Sequence, residues 1–357
     1  MNHSPNSEIS ALVKRSASEA GFDLAGIAPA TDSPELKSFP GWIAAGHAGE
    51  MKYMESRDEQ GSLKRASLSR VAPWARSVVV CAINYNTDHP YSTEIHDSPR
   101  GWISRYAWSR EDYHDAVLRR LKQVETALQA AVDDESLITR SYVDTGPIVE
   151  RVFAKYAGVG WIGKNTCIIN QKIGSWLFLG VILTSLELTP DIPAPDRCGT
   201  CTRCIEACPT DAILEPYKLD SNRCIAYLTI EKRGSIPAEL RPHMGHHVFG
   251  CDICQDVCPW NRKAPATTAP EFSAREGLVN PALDWLAEIS AEEFREKFRG
   301  SPLRRAKRSG LRRNALIAIG NSGNRDLLPL AQSQSHDEDE AVAEAARWAV
   351  ARLQESL

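Results

Sequence analysis

The sequence predicts three consecutive regions: an α/β domain, a cysteine-rich module and an α-helical region. Helical and strand-like patterns alternate up to about residue 185, eight of the ten cysteines lie between Cys198 and Cys258, and the pattern beyond about residue 270 is wholly helical. Proline-rich segments, Leu188–Arg197 and Lys263–Pro270, separate the regions. At roughly 150 residues per domain, the 357 residues accommodate domains at 1–187, 188–265 and 266–357.

The first region combines amphipathic helices with apolar strands. Apolar residues recur at three- and four-residue spacing over Ser7–Ala20 and Asp112–Ala131, which predicts helices. A third helix is expected from Gly146 and Pro147 to about Tyr156, because proline suits the first helical turn. Strands are predicted over the apolar runs Ser77–Ile83, Thr139–Val143, Thr166–Asn170 and Trp176–Leu183. This alternation is typical of an α/β fold.

The last region predicts packed helices. Leu311–Ile319 and Glu338–Leu353 have helical patterns and are separated by Gly320–Asn324 and a short intermediate helix. The arrangement resembles a single HEAT-like helical repeat. Because one repeat does not make a solenoid, we expect a small HEAT-like domain.

The composition excludes several classes of protein. Hydrophobic residues make up 43% of the chain and charged residues 25%, as in ordinary globular proteins. The longest apolar stretch, Trp176–Leu183, is far shorter than the roughly 20 residues that cross a bilayer. The polar N-terminus lacks an apolar signal segment, which predicts a cytoplasmic protein without a membrane partner. Since the net charge is -4, any polyanion site must be a local patch.

The cysteine spacing predicts two iron–sulfur clusters. Four cysteines separated by two, two and three residues and followed by a proline are typical of bacterial ferredoxins that bind 4Fe-4S clusters, and this chain has them at Cys198, Cys201, Cys204 and Cys208. Cys224 and the run Cys251, Cys254 and Cys258 supply four more. In two-cluster ferredoxins the fourth cysteine of each run crosses to the other cluster. The ligand sets are therefore Cys198, Cys201, Cys204 and Cys258 for cluster 1, and Cys208, Cys224, Cys251 and Cys254 for cluster 2.

Zinc is the alternative occupant of this module, because zinc sites also use Cys-x2-Cys pairs, although they do not require the four-cysteine run ending in proline. Cys81 and Cys167 lie in apolar strand patterns and are expected to be small core residues. Eight cysteines already satisfy two clusters, so three nearby histidines are expected to be surface or substrate-side residues: His243, His246 and His247.

Several segments together resemble the cobalamin-dependent epoxyqueuosine reductases, the QueG family. They are Gly49–Arg57, Ser104–His114, Tyr142–Arg151, Gly160–Cys167, Gly174–Leu183, the cysteine block and Pro302–Asn321. The resemblance implies reduction of the epoxide of epoxyqueuosine at the tRNA wobble base to give queuosine, the final step of queuosine biosynthesis. It also implies a cobalamin-binding α/β domain, two 4Fe-4S clusters, and an external electron donor of the flavodoxin or ferredoxin type.

Asp144 is the candidate proton donor for opening the epoxide. It follows a predicted strand and precedes a predicted helix, where α/β folds commonly place ligand-contacting residues. The resemblance places the family's proton donor at this aspartate of the YVDTGP motif. The alternative is that Asp144 caps the helix beginning near Pro147. A carboxyl group donates a proton only if its pKa is raised, which burial against an apolar corrin face would supply.

The resemblance also implies five cobalamin contacts: Arg57, Tyr106, Asp144, Asn165 and Ser175. The sequence lacks the Asp-x-His-x-x-Gly signature of proteins that ligate cobalt through histidine, which favours base-off cobalamin without a protein histidine ligand. Other interpretations stay open for four of these residues. Arg57 fits a surface salt bridge, Tyr106 fits a core tyrosine, and Asn165 and Ser175 fit turn or cap residues.

A basic segment is the candidate tRNA-binding surface. The range Arg299–Arg313 holds seven basic residues and no acidic one, on a chain that is acidic overall. A basic run is often only a solvated face, but with the resemblance we expect phosphate contacts from Arg304, Arg305, Lys307, Arg308, Arg312 and Arg313. The wobble base must leave its stack to react, and the candidates to stack on it are Trp102, Trp108 and Trp161.

Two other functions compete with tRNA modification. One is a reductive dehalogenase-like cobalamin and iron–sulfur enzyme that acts on a small molecule. The other is an iron–sulfur electron-transfer protein with a helical docking arm, which would bind neither corrinoid nor tRNA. We expect a monomer, because no long amphipathic seam remains in the sequence for a second copy.

Overall fold

The computed structural model describes residues 5–95, 99–132 and 134–355. It divides into two compact units, each discontinuous in sequence. Unit 1 consists of Met1–Asn86, Tyr113–Cys201 and Pro259–Pro270, and unit 2 of Thr87–Asp112, Thr202–Cys258 and Glu271–Leu357. The two units alternate along the chain, so each is built from three separate segments, and the three consecutive domains expected from the sequence stay a prediction.

The helices and strands agree well with the sequence pattern. In the described residues the helices are α1 Pro5–Glu19, α2 Pro34–Ala44, α3 Tyr113–Val132, α4 Glu150–Tyr156, α5 Arg203–Glu206, α6 Ile225–Ile230, α7 Ile253–Asp256, α8 Leu283–Glu288, α9 Ala291–Lys297, α10 Lys307–Ser322, α11 Leu328–Ser333 and α12 Glu340–Glu355. The strands are β1 Leu24–Pro29, β2 Ser77–Asn84, β3 Trp102–Ile103, β4 Thr139–Tyr142, β5 Trp161–Ile162, β6 Ile168–Ile169, β7 Leu177–Thr184, β8 Ile213–Glu215, β9 Lys218–Leu219 and β10 His247–Phe249.

Unit 1 is built on a four-stranded sheet in the order β1-β2-β7-β4. Every residue of β2 is buried, as the apolar run predicted. Side chains alternate between the two faces of a strand. Val80 and Val181 share a core with Val152 of α4 on one face, while Gly180 on the other face lies directly beneath Leu121 of α3. Helices therefore cover both faces of the sheet.

The direction of the strands corrects the α/β expectation. All three pairings in this sheet are antiparallel, with Leu24 opposite Ala82, Cys81 opposite Gly180 and Thr139 opposite Thr184. An α/β fold would have parallel strands. Alternation of helix and strand along a sequence predicts a sheet covered by helices. The direction of each strand depends on the end of the sheet at which the connecting segment re-enters it.

Two local expectations also differ from the structure. The strand predicted over Thr166–Asn170 is reduced to β6, which pairs with β5. The helix expected to open at Pro147 begins three residues later at Glu150, and the residue before it, Val149, makes no side-chain cap. The segment 143–149 is consequently an irregular loop that joins β4 to α4.

Unit 2 packs its helices around α10, whose residues from Leu311 to Gly320 are all buried. Helix α12 packs tightly against it: a side chain at Gly320 would lie 2.6 Å from the ring of Trp348. Strand β10 also lies against α10 and pairs in parallel with β3. A helix buried along most of its surface is the centre of a core rather than a surface arm. Among the described residues, no helix is both long and apolar enough to span a bilayer.

Candidate functional site

Asp144 lies in the loop after β4, in a backbone conformation uncommon for a residue with a side chain. Its φ is 54°, in the left-handed region that aspartate tolerates better than most residues. Oδ2 accepts a hydrogen bond from the hydroxyl of Tyr113, the first residue of α3, at 2.8 Å. Asp144 is exposed while Tyr113 is buried. The loop thus presents one anchored carboxylate to solvent, and Asp144 does not cap α4, which removes the capping interpretation.

An aromatic row fixes the hydroxyl that holds Asp144. The ring of Tyr113 stacks on Phe178 with a centroid distance of 4.5 Å and an interplanar angle of 2°. Phe178 in turn contacts Tyr85 at 4.4 Å, and Tyr85 meets Trp176 edge-on at 6.0 Å. All four rings are buried. Because stacked rings have little rotational freedom, the Tyr113 hydroxyl is positioned before any ligand binds.

A second carboxyl group, Glu150, lies near Asp144 and was missed by the sequence analysis. Its Oε1 is buried and has no hydrogen-bond partner among the described residues. The pKa of Glu150 is raised to about 7: burial and the negative charge of Asp144 raise it, against the opposing effects of a backbone hydrogen bond and of the charges of Arg65 and Arg151. The available signal was the Glu-Arg pair that ends the YVDTGPIVER segment, six residues after Asp144.

Two arginines complete this group of charges. The hydrogen bonds described for them go to backbone carbonyl oxygens. Arg65 donates to the carbonyl oxygens of Gly146 at 2.9 Å and Tyr53 at 2.7 Å. Arg151 donates to the carbonyl oxygen of Thr166 at 3.1 Å. Arg151 is exposed at the protein surface, and although neighbouring atoms partly desolvate its guanidinium, four acidic groups raise its pKa above the ordinary value: Cys167, Asp144, Glu150 and Tyr85. Arg65 therefore braces the loop that carries Asp144, whereas Arg151 ties the start of α4 to the segment before β6.

Three other predicted cobalamin residues of unit 1 have structural contacts. Arg57 is exposed and donates to the carbonyl oxygen of Gly61 at 2.7 Å. Asn165 is buried, and its Oδ1 accepts from the backbone of Cys167 at 3.2 Å, as in a turn. Ser175 is buried against Asn261, whose Nδ2 donates to its hydroxyl at 2.9 Å.

The fifth predicted contact, Tyr106, belongs to unit 2. It is half-buried, and its ring centroid lies 6.0 Å from that of Phe249. This fits the packing role that was left open for it.

The four cysteines predicted for cluster 2 all belong to unit 2. Burial raises the pKa of the Cys251 thiol well above its ordinary value, and the neighbouring sulfurs of Cys224 and Cys208 raise it further. The backbone amide of Ala212 donates to Sγ of Cys208 at 3.3 Å. These half-buried cysteines disfavour each other's ionisation, which fits a site completed by a positively charged group such as iron.

A 4Fe-4S cluster does not require its ligands to converge on one point, because each cysteine binds a different iron. In the part of the chain that the structure describes, no three His, Cys, Asp or Glu side chains converge as ligands of a single metal ion. Of the remaining cysteines, Cys81 is completely buried in β2, as expected, and burial raises its pKa to about 12. Cys167 is only half-buried, so the core position expected for it is wrong.

Two buried aspartates hold the second cysteine loop and were also missed. Asp252 accepts hydrogen bonds from Nε1 of Trp102 at 3.0 Å, from the backbone amide of Arg105 at 2.7 Å and from the hydroxyl of Ser104. Asp256 accepts from the backbone amide of Ser92 at 2.9 Å. Each aspartate lies within the Cys251–Cys258 run, so these bonds fix the loop on which the cysteines stand.

The tryptophans proposed to stack on a flipped base are all buried, which corrects that expectation. Trp102 and Trp108 have no exposed surface, and their indole N–H groups bond to Asp252 and to the carbonyl oxygen of Ile103. Trp161 is 2% exposed and packs edge-on against Trp260 at 5.1 Å. Their amphipathic rings serve the core, a role that sequence spacing does not distinguish from nucleic-acid binding.

The basic segment divides into an exposed half and a buried half. Arg304, Arg305 and Lys307 are exposed and Arg308 is half-buried. Arg305 forms a two-pronged ion pair with Glu231 at 2.9 and 3.0 Å.

Arg312 and Arg313 are 5% and 2% exposed, which corrects their assignment as phosphate contacts. Arg312 pairs with Asp337 at 2.6 Å, and Arg313 donates to the carbonyl oxygens of Leu228, Lys232 and Gly234. Their positive charge is used to join α10 to the rest of unit 2.

Comparison with protein-family models gives two matches. Residues 197–261 match a model described as a 4Fe-4S double cluster binding domain. Residues 65–145 match a model described as epoxyqueuosine reductase QueG, DUF1730. The first match confirms the two-cluster interpretation of the cysteine block, and the second includes Asp144.

Curated relatives match along nearly the whole chain. The epoxyqueuosine reductase of Xanthomonas campestris is 39% identical over 351 residues, which cover 97% of this chain and 96% of that protein. The Synechocystis enzyme of the same name is 45% identical over 295 residues, with coverage of 81% and 98%. The Escherichia coli enzyme is 36% identical, with coverage of 97% and 89%.

Solved structures give the same result. An epoxyqueuosine reductase bound to an epoxyqueuosine-modified tRNA-Tyr stem loop superposes with a TM-score of 0.85 at 31% identity, covering 97% of this chain and 90% of that one. The Bacillus subtilis epoxyqueuosine reductase, with its aspartate catalytic loop swung out of the active site, has a TM-score of 0.85 at 30% identity, with the same coverage.

Proposed function

This chain belongs to the epoxyqueuosine reductase family of oxidoreductases, and on that premise we propose that it reduces the epoxide of epoxyqueuosine at the wobble position of tRNA. The product is queuosine, and the reaction takes place in the cytoplasm. The observation that carries the proposal is Asp144: an exposed carboxylate, anchored by Tyr113 in a strained loop, within a chain that matches these reductases over nearly its full length.

The overall chemistry sets what the residues must supply. Conversion of the epoxide to an alkene breaks both bonds to oxygen, takes up two electrons and two protons, and releases water. An external one-electron donor of the flavodoxin or ferredoxin type supplies the electrons through two 4Fe-4S clusters. Their ligands are Cys198, Cys201, Cys204 and Cys258 in one, and Cys208, Cys224, Cys251 and Cys254 in the other.

Cobalamin is the cofactor that we propose for unit 1, where it would supply a reduced centre that acts on the epoxide. The fit rests on this unit's residues: the indole N–H of Trp161 is buried without a hydrogen-bond acceptor among the described residues, and Arg57 and Asp144 are exposed polar groups. Asn165 and Ser175 would line the same cofactor. The chain lacks the histidine motif that ligates cobalt, so we propose the base-off form.

Asp144 is the proton donor of this proposal. It would touch the substrate, because its carboxyl group is exposed while Tyr113 and Arg65 fix the loop that carries it. The Bacillus subtilis relative has an aspartate catalytic loop that swings out of its active site. A positive-φ aspartate in an irregular loop between β4 and α4 fits such a loop here. As the donor, Asp144 would give a proton to the oxygen while the bonds between oxygen and carbon break.

The tRNA would contact the exposed half of the basic segment in a HEAT-like C-terminal region. Arg304, Arg305, Lys307 and Arg308 remain the proposed phosphate contacts. The related reductase bound to a modified tRNA stem loop supports this class of substrate. We propose that the enzyme acts as a monomer.

The decisive experiment is Asp144→Asn. We expect conversion of epoxyqueuosine tRNA to fall about 100-fold or more, because loss of a general acid costs roughly 10²–10⁴. Iron and cobalt content of the anaerobically reconstituted protein stay at the wild-type level. Asp115→Asn, a change of an exposed aspartate two residues from Tyr113, is the matched control and leaves turnover unchanged.

Other outcomes separate the alternatives. Near-normal turnover by Asp144→Asn removes this residue from the mechanism. A wild-type protein that binds cobalamin but converts only small halogenated molecules is a dehalogenase-like enzyme. A protein that holds iron but retains neither cobalamin nor tRNA is an electron-transfer protein.

A further inference from the structure

Lys164 is a basic residue of unit 1 that holds a cysteine-bearing segment by its backbone. Its ammonium group donates hydrogen bonds to the carbonyl oxygens of Gly199 at 2.7 Å and Cys201 at 3.0 Å. All three residues belong to unit 1, and Lys164 is half-buried. A positive charge is therefore fixed beside the segment that supplies Cys198 and Cys201, two of the ligands proposed for cluster 1.

The turn that carries Lys164 is held by its own backbone. It joins β5 to β6, and two hydrogen bonds of 2.8 Å close it: the amide of Gly163 donates to the carbonyl oxygen of Cys167, and the amide of Thr166 donates to that of Gly163. A side chain at Gly163 would lie 2.5 Å from Ile169, so the turn also packs tightly against β6. The lysine is consequently positioned by structure that does not depend on a bound cluster.

The hydrogen bonds from Lys164 also orient the peptide groups of the cysteine segment. The amide of Cys201 donates to the carbonyl oxygen of Cys198 at 3.1 Å, which makes the segment a turn. A trans peptide holds its N–H opposite its C=O. Because the carbonyl of Gly199 is directed at the lysine, the N–H of Thr200 faces away from it. Hydrogen bonds to the sulfurs are among the factors that set the potential of a cluster, and Lys164 fixes a peptide that can make one.

The charge of Lys164 favours the reduced form of a cluster bound by this segment. Reduction transfers one electron from the external donor to the cluster, which becomes more negative by one charge without making or breaking a bond. A nearby positive charge stabilises the added electron, and more strongly where water is partly excluded. The charged side chains just before Cys198, Asp196 and Arg197, are exposed and are screened by water and salt. The half-buried lysine therefore has the larger influence.

We propose that Lys164 positions the segment of Cys198 and Cys201 and raises the reduction potential of the cluster that these cysteines bind. This inference rests on the cluster ligands and the electron path of the proposed function. Asn165, the next residue of the same turn, is proposed to line cobalamin, so one turn serves both cofactors. Lys164 is a positioning residue, because it acts through the cluster and touches neither the substrate nor the epoxide.

The test is a redox titration of the full-length, anaerobically reconstituted protein, in which electron paramagnetic resonance follows the reduced clusters. In Lys164→Met we expect one of the two midpoint potentials to fall, with reduction about tenfold less favourable, or about 59 mV for a one-electron couple. Lys164→Arg keeps the charge and the donors, so both reduction equilibria stay within about threefold of wild type. Lys172→Met, which changes an exposed lysine of the same unit, is the control and moves neither midpoint.

Iron content separates an effect on potential from an effect on assembly. If Lys164→Met loses iron, Lys164→Gln takes its place in the titration, because glutamine can donate to a carbonyl oxygen but has no charge, and it shows the same fall in one midpoint. Unchanged midpoints in an uncharged variant that keeps its iron overturn the inference. Loss of iron from both uncharged variants also overturns it, because Lys164 would then be required for assembly.

Failure of the proposed function looks different. If the wild-type protein leaves epoxyqueuosine tRNA unconverted but Lys164→Met lowers one midpoint, the function is wrong and the role of Lys164 stands. If the wild type converts the tRNA and the midpoints of Lys164→Met are unchanged, only the role of Lys164 is wrong. A wild-type protein that assembles no cluster contradicts both.

Discussion

Both units bury charged side chains, but they differ in how fully those side chains are hydrogen-bonded. In unit 2 the guanidinium of Arg313 donates to three backbone carbonyls and to Asn314, and Arg312 is paired with Asp337. In unit 1 the Oε1 of Glu150 has no partner among the described residues. Fully bonded buried charge serves structure, whereas a largely buried acid with one unsatisfied oxygen has a shifted pKa and is a candidate for chemistry.

The largest effect on stability is expected from removing the hydrogen bonds of Arg313 in unit 2. Arg313→Ala should lower the free energy of unfolding by about 3–5 kcal/mol, because it leaves buried carbonyls without donors and opens a cavity beside α10. Denaturant unfolding of the cluster-loaded protein measures it. Arg304→Ala, on the exposed half of the same segment, should change stability by no more than about 0.5 kcal/mol. A loss under about 1 kcal/mol in Arg313→Ala would show that the carbonyls find other donors.

A smaller effect of opposite sign is expected in unit 1. The pKa of Glu150 is raised in the fold from 4.5 to about 7, so the wild type loses stability as pH rises through this range and has lost all of that contribution above it. Glu150→Gln removes the loss. It should be about 2 kcal/mol more stable than wild type at about pH 8, allowing for partial solvent screening, and equal to it at about pH 4.

This stability difference is measured by denaturant unfolding at several pH values. Glu125→Gln is the control, and it should show no gain at alkaline pH because the pKa of Glu125 is lowered. Equal stability of wild type and Glu150→Gln at every pH would mean that Glu150 is charged in the fold and is bonded after all.

The smallest effect should come from the exposed half of the basic segment. Reversing the charge of Arg304 and Lys307 should weaken tRNA binding about tenfold and lower the slope of log affinity against log salt by roughly one per lost phosphate contact. Stability should stay within about 0.5 kcal/mol. Affinity measured over a salt series checks this, and an unchanged slope would move the tRNA to another face.

Local signals in the sequence predicted much of the fold. The helices α1 and α3 and the strands β2, β4 and β7 begin and end within two residues of their predicted bounds, since hydrophobic periodicity is a property of consecutive residues. Sequence spacing also predicted the cluster-binding segment, because ligands a few residues apart must wrap one cluster whatever surrounds them.

The hydrogen-bond and ion-pair partners of individual side chains could not be predicted in the same way. The seven basic residues look alike in the sequence, yet two of them are buried and bonded to segments far away in the chain. The buried position of Trp102 was unpredictable for the same reason, since Asp252, which accepts its indole hydrogen bond, lies 150 positions later in the chain. Neither spacing nor composition shows which carbonyl or carboxylate a charged side chain contacts, because the partners are far apart in the sequence.

The sequence by itself determined the periodic elements, the eight cysteines of the cluster module and the position of Asp144. Only the tertiary structure decided the antiparallel direction of the sheet, the division of the basic segment and the raised pKa of Glu150. The physical reason is that helix and strand periodicity and cysteine spacing act over a few residues. Burial, and with it the cost of an unpaired charge, exists only after distant segments have packed together.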